Sequence, residues 1–222
     1  MDAPDQTHPR PACGAAILAG GAATRMGGIQ KGLIEVAGRP LLDLALDTLS
    51  SFFEDIMVVC KEPEPLRAYL AARPAKVRAV RDAFEARSSL TGIHAALAGA
   101  RTPHVFVMAC DTPLLRPALL AALLAHLRPG DDVVLPQKPD GYFEPLCAVY
   151  SARCLPHIAE QLGRGDYKII RFFDKVRVHP LPVGELLRAD PDLVSFQNAN
   201  TPEDLRKLRD TAQTLLRPQE GP

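Results

Sequence analysis

Residues 15–31 have the sequence AAILAGGAATRMGGIQK, in which an apolar run ending at Ala19 is followed directly by a loop with four glycines. In an open α/β sheet, ligands bind beyond the carboxyl ends of the strands, and a glycine loop there lets backbone N–H groups approach phosphate oxygens. Arg25 and Lys31 would add positive charge to such a loop. The stretch therefore predicts a first strand followed by a phosphate-binding loop, and a flexible surface loop with two solvated cations is the alternative.

The rest of the chain alternates short apolar runs with longer segments of helical period, which is typical of βαβ units. Strands are predicted at residues 15–19, 55–60, 76–80, 104–109, 132–135 and 146–150. Helices are predicted at residues 41–52, 64–72, 90–100, 117–127, 152–162 and 202–215. The predicted fold class is α/β and Rossmann-like, with three layers in which helices cover both faces of a mostly parallel central sheet. Residues 181–193 show no clear pattern, and the turn-rich residues 136–144 predict a loop over a site or a hairpin connection.

The length and composition predict a single globular domain. A chain of 222 residues that is 47% hydrophobic and 23% charged has enough apolar material for one core and too little charge for disorder. We place this domain at residues 14–215, between a polar, Pro-rich flexible leader at 1–13 and a flexible tail at 216–222.

Charge and cysteine content argue against several kinds of partner. Lysine and arginine together number 26, as do aspartate and glutamate, so the chain has no net charge with which to attract nucleic acid or anionic lipid. The five cysteines show no C-x-x-C pair and no zinc-ligand spacing, which is typical of reduced thiols in the cytosol. No apolar stretch approaches the roughly 20 residues that span a bilayer, and the leader lacks the features of a secretory signal. We therefore expect a cytoplasmic protein that binds neither membranes nor nucleic acid.

The glycine loop matches neither of two familiar phosphate-binding motifs. Lys31 is followed by Gly32, which rules out the P-loop sequence, and no G-x-G-x-x-G fingerprint occurs in the chain. Instead, Leu18-Ala19-Gly20-Gly21 and Arg25-Met26-Gly27, with Lys31 four residues further on, resemble the signature of nucleotidyltransferases that have the glycosyltransferase-A-like fold. Among these, the segment is similar to that of the molybdenum cofactor guanylyltransferases, and the resemblance extends over most of the chain.

A second motif, Cys110-Asp111-Thr112-Pro113, follows the predicted strand at 104–109. A carboxylate at the carboxyl end of a central strand suits Mg²⁺, which takes oxygen ligands from one or two carboxylates and from substrate phosphates. The local sequence also fits a turn or a helix cap before the next helix. In the family that this chain resembles, the aspartate of this motif is the metal ligand.

The third motif, Asn198-Ala199-Asn200-Thr201-Pro202-Glu203-Asp204-Leu205, precedes the last predicted helix. Thr201 or Asn200 can cap that helix, Pro202 suits its first turn, and the two acidic residues favour the positive end of its dipole. The resemblance implies that Asn198 and Asn200 lie by the pterin substrate and the metal. A purely structural role as caps is the alternative.

Two further stretches match the family less tightly. The resemblance implies that Asp82 contacts the nucleotide, although Ser88-Ser89 replaces the family's Gly-Pro in the segment that follows. It also implies that Lys168 contacts the phosphate of molybdopterin, with Asp166 capping a helix whose amino end faces the anion. An exposed helix with solvated cations is the alternative there. The family's asparagine after the second strand has no counterpart, because Cys60 and Lys61 occupy that place.

The reaction implied by the resemblance is transfer of GMP from GTP to the phosphate of molybdopterin or molybdenum-loaded molybdopterin, with Mg²⁺ as cofactor and release of pyrophosphate. The implied catalytic residues are Arg25, Lys31 and Asp111, the metal ligands Asp111 and Asn200, and the acceptor-binding residues Lys168, Asn198 and Asn200. The implied nucleotide-binding residues are Leu18, Ala19, Gly20, Gly21, Gly27, Gly28, Lys31, Asp82 and Asp111.

Two alternatives stay open at this point. Gly20 and Thr112 favour GTP, because the related molybdopterin cytidylyltransferases have L-A-A-G and D-Q-P at these places, but CTP or another nucleoside triphosphate is the alternative donor. A non-catalytic carrier of the molybdenum cofactor would use the same basic loop but would not need Asp111. The reaction also implies partner proteins that deliver molybdopterin or receive the product.

Overall fold

The structure is a computed structural model that describes residues 12–19, 31–73 and 77–216. Its strands are β1 (Cys13–Leu18), β2 (Glu35–Val36), β3 (Arg39–Pro40), β4 (Ile56–Cys60), β5 (Val77–Arg81), β6 (His104–Ala109), β7 (Val133–Pro136), β8 (Cys147–Ser151) and β9 (Val178–Leu181). Its α-helices are α1 (Leu41–Ser50), α2 (Glu64–Ala71), α3 (Ser89–Ala98), α4 (Pro117–His126), α5 (Leu155–Gly163), α6 (Val183–Ala189) and α7 (Pro202–Leu216). Short 3₁₀ segments occupy Lys31–Leu33, Ala152–Cys154, Ile169–Lys175 and Val194–Phe196.

Seven strands form one sheet in the order β5-β4-β1-β6-β8-β7-β9. Among these seven, β8 is antiparallel to both of its neighbours and the other pairings are parallel. The remaining two strands, β2 and β3, form a hairpin whose turn residues Ala37 and Gly38 both have positive φ, as a tight two-residue hairpin turn requires. The mostly parallel sheet confirms the predicted fold class.

Side chains of the central strands alternate between two apolar cores, one on each face of the sheet. Ile17 and Phe106 pack with α1, α2, α4 and α6, whereas Ala16 and Val107 pack with α3, α5 and the 3₁₀ segment Ile169–Lys175. Because helices cover both faces, every residue of β6 is buried, and this explains why the residues that follow His104 in this strand are all apolar. A third, smaller core joins α7 to the β2–β3 hairpin and to the chain that follows β6. The three-layer architecture is therefore confirmed.

The predicted strands and helices occur close to their expected positions, with some differences at their ends. The first three residues of the predicted helix at 152–162 form a 3₁₀ turn before α5 begins. Residues 136–144 join the antiparallel strands β7 and β8, so they are a hairpin connection. Cys13 and Leu216, placed in the leader and the tail, belong to β1 and α7. No helix in the described ranges combines the length and apolar character needed to cross a membrane.

Among the strands and α-helices of the described residues, four were not predicted: β2, β3, β9 and α6. The hairpin strands are two residues long, which is too short for any alternation to show. The sequence of β9, VHPL, contains a histidine and a proline and is only half-buried at the edge of the sheet. The strand exists because β7 pairs with it in parallel, which is a non-local cause.

His104, the first residue of β6, should make the stability of the fold sensitive to acid. Its side chain is buried, and Nδ1 has no hydrogen-bond partner within the described part of the chain. Burial lowers the pKa of His104 below its ordinary value. The unfolded chain therefore binds a proton more readily than the folded one, and the free energy of unfolding falls as the pH drops below about 6.5.

This expectation can be checked by thermal unfolding at about pH 7.5 and about pH 5.5. The unaltered protein should lose more stability between the two pH values than the His104→Gln variant, which cannot gain the buried charge. Equal losses would contradict the role of His104. Burial also lowers the pKa of His94 and His126, so the variant should keep part of the acid sensitivity.

Candidate active site

A cavity of about 300 Å³ lies at the carboxyl ends of four neighbouring strands. Leu18 of β1, Lys61 after β4, Asp82 after β5 and Asp111 after β6 contribute to its lining. The chain runs from β1 to β4 and β5 on one side and then returns to β6 on the other side of β1. This reversal of direction makes a crevice at the strand ends, which is where open α/β sheets bind their ligands. The fold therefore explains where the cavity lies.

Helix α3 closes one side of this cavity. Ser88 caps the helix, because its Oγ accepts a hydrogen bond from the backbone N–H of Thr91 at 3.1 Å. Ser88, Ser89 and Gly92 line the cavity. A Cβ on Gly92 would come within 3.2 Å of the Leu18 side chain, so the glycine allows α3 to pack closely on β1. The serines that replace the family's Gly-Pro thus lie at the site itself.

Three of the residues predicted from separate motifs, Leu18, Asp82 and Asp111, meet in this cavity. Ala19 lies beside them and donates a backbone hydrogen bond to Val59 at the end of β4. The predictions for Gly20, Gly21, Arg25, Gly27 and Gly28 lie outside the described residues. Lys31 is described only as the start of the 3₁₀ segment Lys31–Leu33.

The Asp111 motif and the asparagine motif are joined through their backbones. The N–H of Ala199 donates to the carbonyl oxygen of Asp111 at 2.9 Å, and Ala199 is fully buried. Asn198 and Asn200, both exposed, flank this contact. Carboxylate and amide oxygens are hard donors that suit Mg²⁺, so the residue types at this position fit the metal that the resemblance implies. Within the described ranges, no three His, Cys, Asp or Glu side chains come together in a group that could hold a metal ion.

Thr201 is the residue that caps α7. Its Oγ1 accepts from the N–H of Asp204 at 3.1 Å, and the Asp204 carboxylate accepts in return from the N–H of Thr201 at 2.9 Å. This reciprocal pair satisfies backbone donors that the helix cannot satisfy itself. Capping by Thr201 accounts for the Thr-Pro-Glu-Asp part of the motif.

Asp190, which the sequence did not indicate, organises the chain that leads into the asparagine motif. The side chain is completely buried, and its two oxygens accept the backbone N–H groups of Val194 at 3.0 Å and Ser195 at 2.8 Å. Ser195 in turn accepts a hydrogen bond from the backbone N–H of Arg116. Asp190 therefore holds the approach to Asn198 against the segment that follows Asp111. A fully buried aspartate has no local signature, so sequence patterns could not have identified it.

The prediction that Asp166 caps a helix facing an anion is wrong. The segment after it, Ile169–Lys175, is a 3₁₀ helix whose cap position is Lys168, and no side chain caps it. Asp166 instead accepts the backbone N–H of Lys168 at 3.0 Å, which is a local turn. The side chain of Gln161 donates to the carbonyl oxygens of Asp166 and Lys168 and holds this turn against α5. No α-helix begins here, so no α-helical amino end is available to bind a phosphate.

Lys168 itself is exposed and is not among the described residues that line the cavity. The 3₁₀ segment that follows it contacts the connection between β7 and β8, because the ring centroids of Phe173 and Phe143 lie 6.4 Å apart. Phe143 is close in sequence to Leu146, which lines the cavity. The structure therefore does not bring Lys168 into the lining of this cavity.

Comparison with known proteins agrees with this geometry. The family described as MobA-like NTP transferase domain matches residues 15–179. The molybdenum cofactor guanylyltransferase of Desulfosudis oleivorans is 40% identical over 191 residues, which cover 86% of this chain and 91% of that protein. The protein of the same name from Vibrio atlanticus is 34% identical over 194 residues, covering 86% of this chain and 93% of its own length.

Solved structures show the same relationship. Molybdopterin-guanine dinucleotide biosynthesis protein A from Archaeoglobus fulgidus superposes with a TM-score of 0.76 at 28% identity, over 90% of this chain and 98% of that chain. The 4-diphosphocytidyl-2C-methyl-D-erythritol synthase of Anaerococcus prevotii, at 18% identity and a TM-score of 0.65 over 92% of this chain and 100% of that chain, shares the fold. The sheet order, the cavity at the strand ends and these relatives make the chain a nucleotidyltransferase. It belongs to the MobA-like NTP transferase family.

Proposed function

We propose that this protein transfers GMP from GTP to the phosphate of molybdopterin, or of molybdenum-loaded molybdopterin, and releases pyrophosphate. The observation that carries the proposal is the meeting of Leu18, Asp82 and Asp111, from three distant motifs, in one cavity at the strand ends. Relatives named molybdenum cofactor guanylyltransferase, 34% to 40% identical over most of their length, support the choice of substrates. A cytoplasmic location, and partner proteins that deliver molybdopterin or receive the product, are part of the same proposal.

The chemistry is a substitution at the α-phosphorus of GTP. An oxygen of the acceptor phosphate forms a bond to this phosphorus, the bond to the oxygen that bridges the α- and β-phosphates breaks, and pyrophosphate leaves with that oxygen. No covalent intermediate with the protein is needed. Catalysis of this kind depends on holding the reacting groups in line and on balancing the negative charge of the phosphates.

On this proposal, one group of residues binds the nucleotide donor and another binds the phosphate acceptor. The glycine loop, with Leu18 and Ala19 at its start, cradles the triphosphate, and Arg25 and Lys31 balance the charge on the α-phosphate and the departing pyrophosphate. Asp111 with Asn200 would hold Mg²⁺, which supplies further positive charge to the triphosphate when bound. Lys168 and Asn198 would face the acceptor, with Lys168 as a point charge beside its phosphate.

The test is an assay of pyrophosphate release by the purified protein with Mg²⁺ and molybdenum-loaded molybdopterin, comparing GTP, CTP, UTP and ATP. We expect release with GTP and at least roughly a hundredfold less with the others, as a site that hydrogen-bonds the base should give. A matched reaction with a chelator in place of Mg²⁺ should give none. Preference for CTP would contradict the assignment of GTP, and tight pterin binding without release from any nucleotide would favour the carrier.

A further inference from the structure

Lys61 lines the cavity, yet its charged group is used entirely within the protein. It directly follows β4, and only 14% of its side chain is exposed. Its Nζ donates to the carbonyl oxygens of Phe84 and Ala86, the latter at 2.7 Å, and lies 2.9 Å from Oδ2 of Asp82. An ammonium group has three N–H donors, and these three oxygens take all of them. Lys61 therefore has no donor left for a phosphate of the substrate.

Asp82, the partner of Lys61, is bound from three directions. Its Oδ2 also accepts from Oγ1 of Thr91 at 2.7 Å, and its Oδ1 accepts from the backbone N–H of Phe84 at 3.1 Å. Its own backbone N–H donates to the carbonyl oxygen of Cys60 at 2.8 Å. These bonds join the end of β4, the chain after β5 and the first turn of α3 into one wall of the cavity. Oδ1 retains one acceptor site, which is enough for a single hydroxyl group.

We propose that Lys61 is a positioning residue for nucleotide binding, acting through Asp82 and the carbonyl groups of Phe84 and Ala86. It neutralises a buried carboxylate and holds the wall formed by residues 82–89 at the distance that the nucleoside requires. The Asp82 Oδ1 that this arrangement presents accepts one hydroxyl of the bound nucleoside. The inference rests on the proposed function in taking a nucleoside triphosphate as the occupant of the cavity.

The first test is Lys61→Met, which keeps most of the length of the side chain and removes the charge and the donors. We expect the dissociation constant for GTP, measured by calorimetry with Mg²⁺ and no acceptor, to rise roughly tenfold or more. The KM for GTP should rise in parallel, while kcat changes less than about threefold, because the groups that balance phosphate charge lie on other segments. Lys207→Met, the same change at an exposed lysine of α7, is the control and should leave both constants unchanged.

A double variant tests the same inference without leaving a buried carboxylate unpaired. Lys61→Met combined with Asp82→Asn removes both charges, so it should fold even if the single Lys61 variant does not. If Lys61 acts through Asp82, the double variant binds GTP no more weakly than the weaker of the two single variants. Fully additive losses, or a fall in kcat without a rise in KM, would show instead that Lys61 contacts the substrate and would overturn the inference.

The outcomes separate this inference from the proposed function. If the unaltered protein binds no nucleoside triphosphate, the proposed function fails and the inference falls with it. If the unaltered protein binds GTP, and Lys61→Met binds it equally tightly despite a lower unfolding temperature, Lys61 has only a structural role. In that case the inference fails alone.

Discussion

Asp111→Ala should abolish pyrophosphate release while the protein keeps its fold. Asp111 lies two residues after the end of β6 and lines the cavity in which we propose that the metal and the triphosphate bind. Removing the carboxylate should lower kcat by roughly a thousandfold, because the charge balance at the phosphates matters most in the transition state. The hydrogen bond to Ala199 should persist, because it uses the backbone carbonyl of Asp111, which alanine retains.

Steady-state assays and thermal unfolding of the same Asp111→Ala preparation provide the check. Asp210→Asn changes an exposed aspartate of α7 in a comparable way and should leave both rate and stability unchanged. If Asp111→Ala loses stability in proportion to activity, the residue is structural and its assignment to the metal is wrong. If the rate is unaffected, Asp111 has no part in the reaction.

Among single substitutions near the site, Asp190→Ala should cause the largest loss in the free energy of unfolding. The substitution leaves the backbone N–H groups of Val194 and Ser195, both buried, without their acceptor. A buried donor without a partner costs roughly 1–3 kcal/mol, so the loss in free energy of unfolding should be about 2–5 kcal/mol. For a chain of this size, the unfolding temperature should then fall by roughly 5–15 °C.

Activity should respond to Asp190→Ala as well, since the loop from 190 to 196 leads directly into Asn198. We expect weaker binding of the acceptor, measured as a higher KM for molybdopterin at a temperature where the variant is folded. Asp192→Ala, an exposed aspartate in the same loop, is the matched control. An unfolding temperature within about 1 °C of the unaltered protein would contradict the role of Asp190.

Consecutive residues were enough to locate some elements of the fold. The buried strand β6 and the amphipathic helices were found because their apolar patterns lie in consecutive residues. The capping of α7 by Thr201 was likewise among the expected possibilities, since a cap depends on residues three positions apart. Asp166 shows the opposite case. Its local sequence suits a helix cap as well as it suits the turn that the residue forms.

The site residues show the same difference between local and non-local information. The motifs around Leu18, Asp111 and Asn198 were recognisable in the sequence because each carries its chemistry within a few residues. The pairing of Lys61 with Asp82 was not, because these residues meet only when β5 pairs with β4. The buried acceptor Asp190 likewise acquires its role only when the chain folds back over it. Sheet order and burial arise from contacts between residues that are distant in sequence. Consecutive residues therefore specify the elements and the motifs, whereas the packing of the whole chain specifies which charged side chains are buried together beside the cavity.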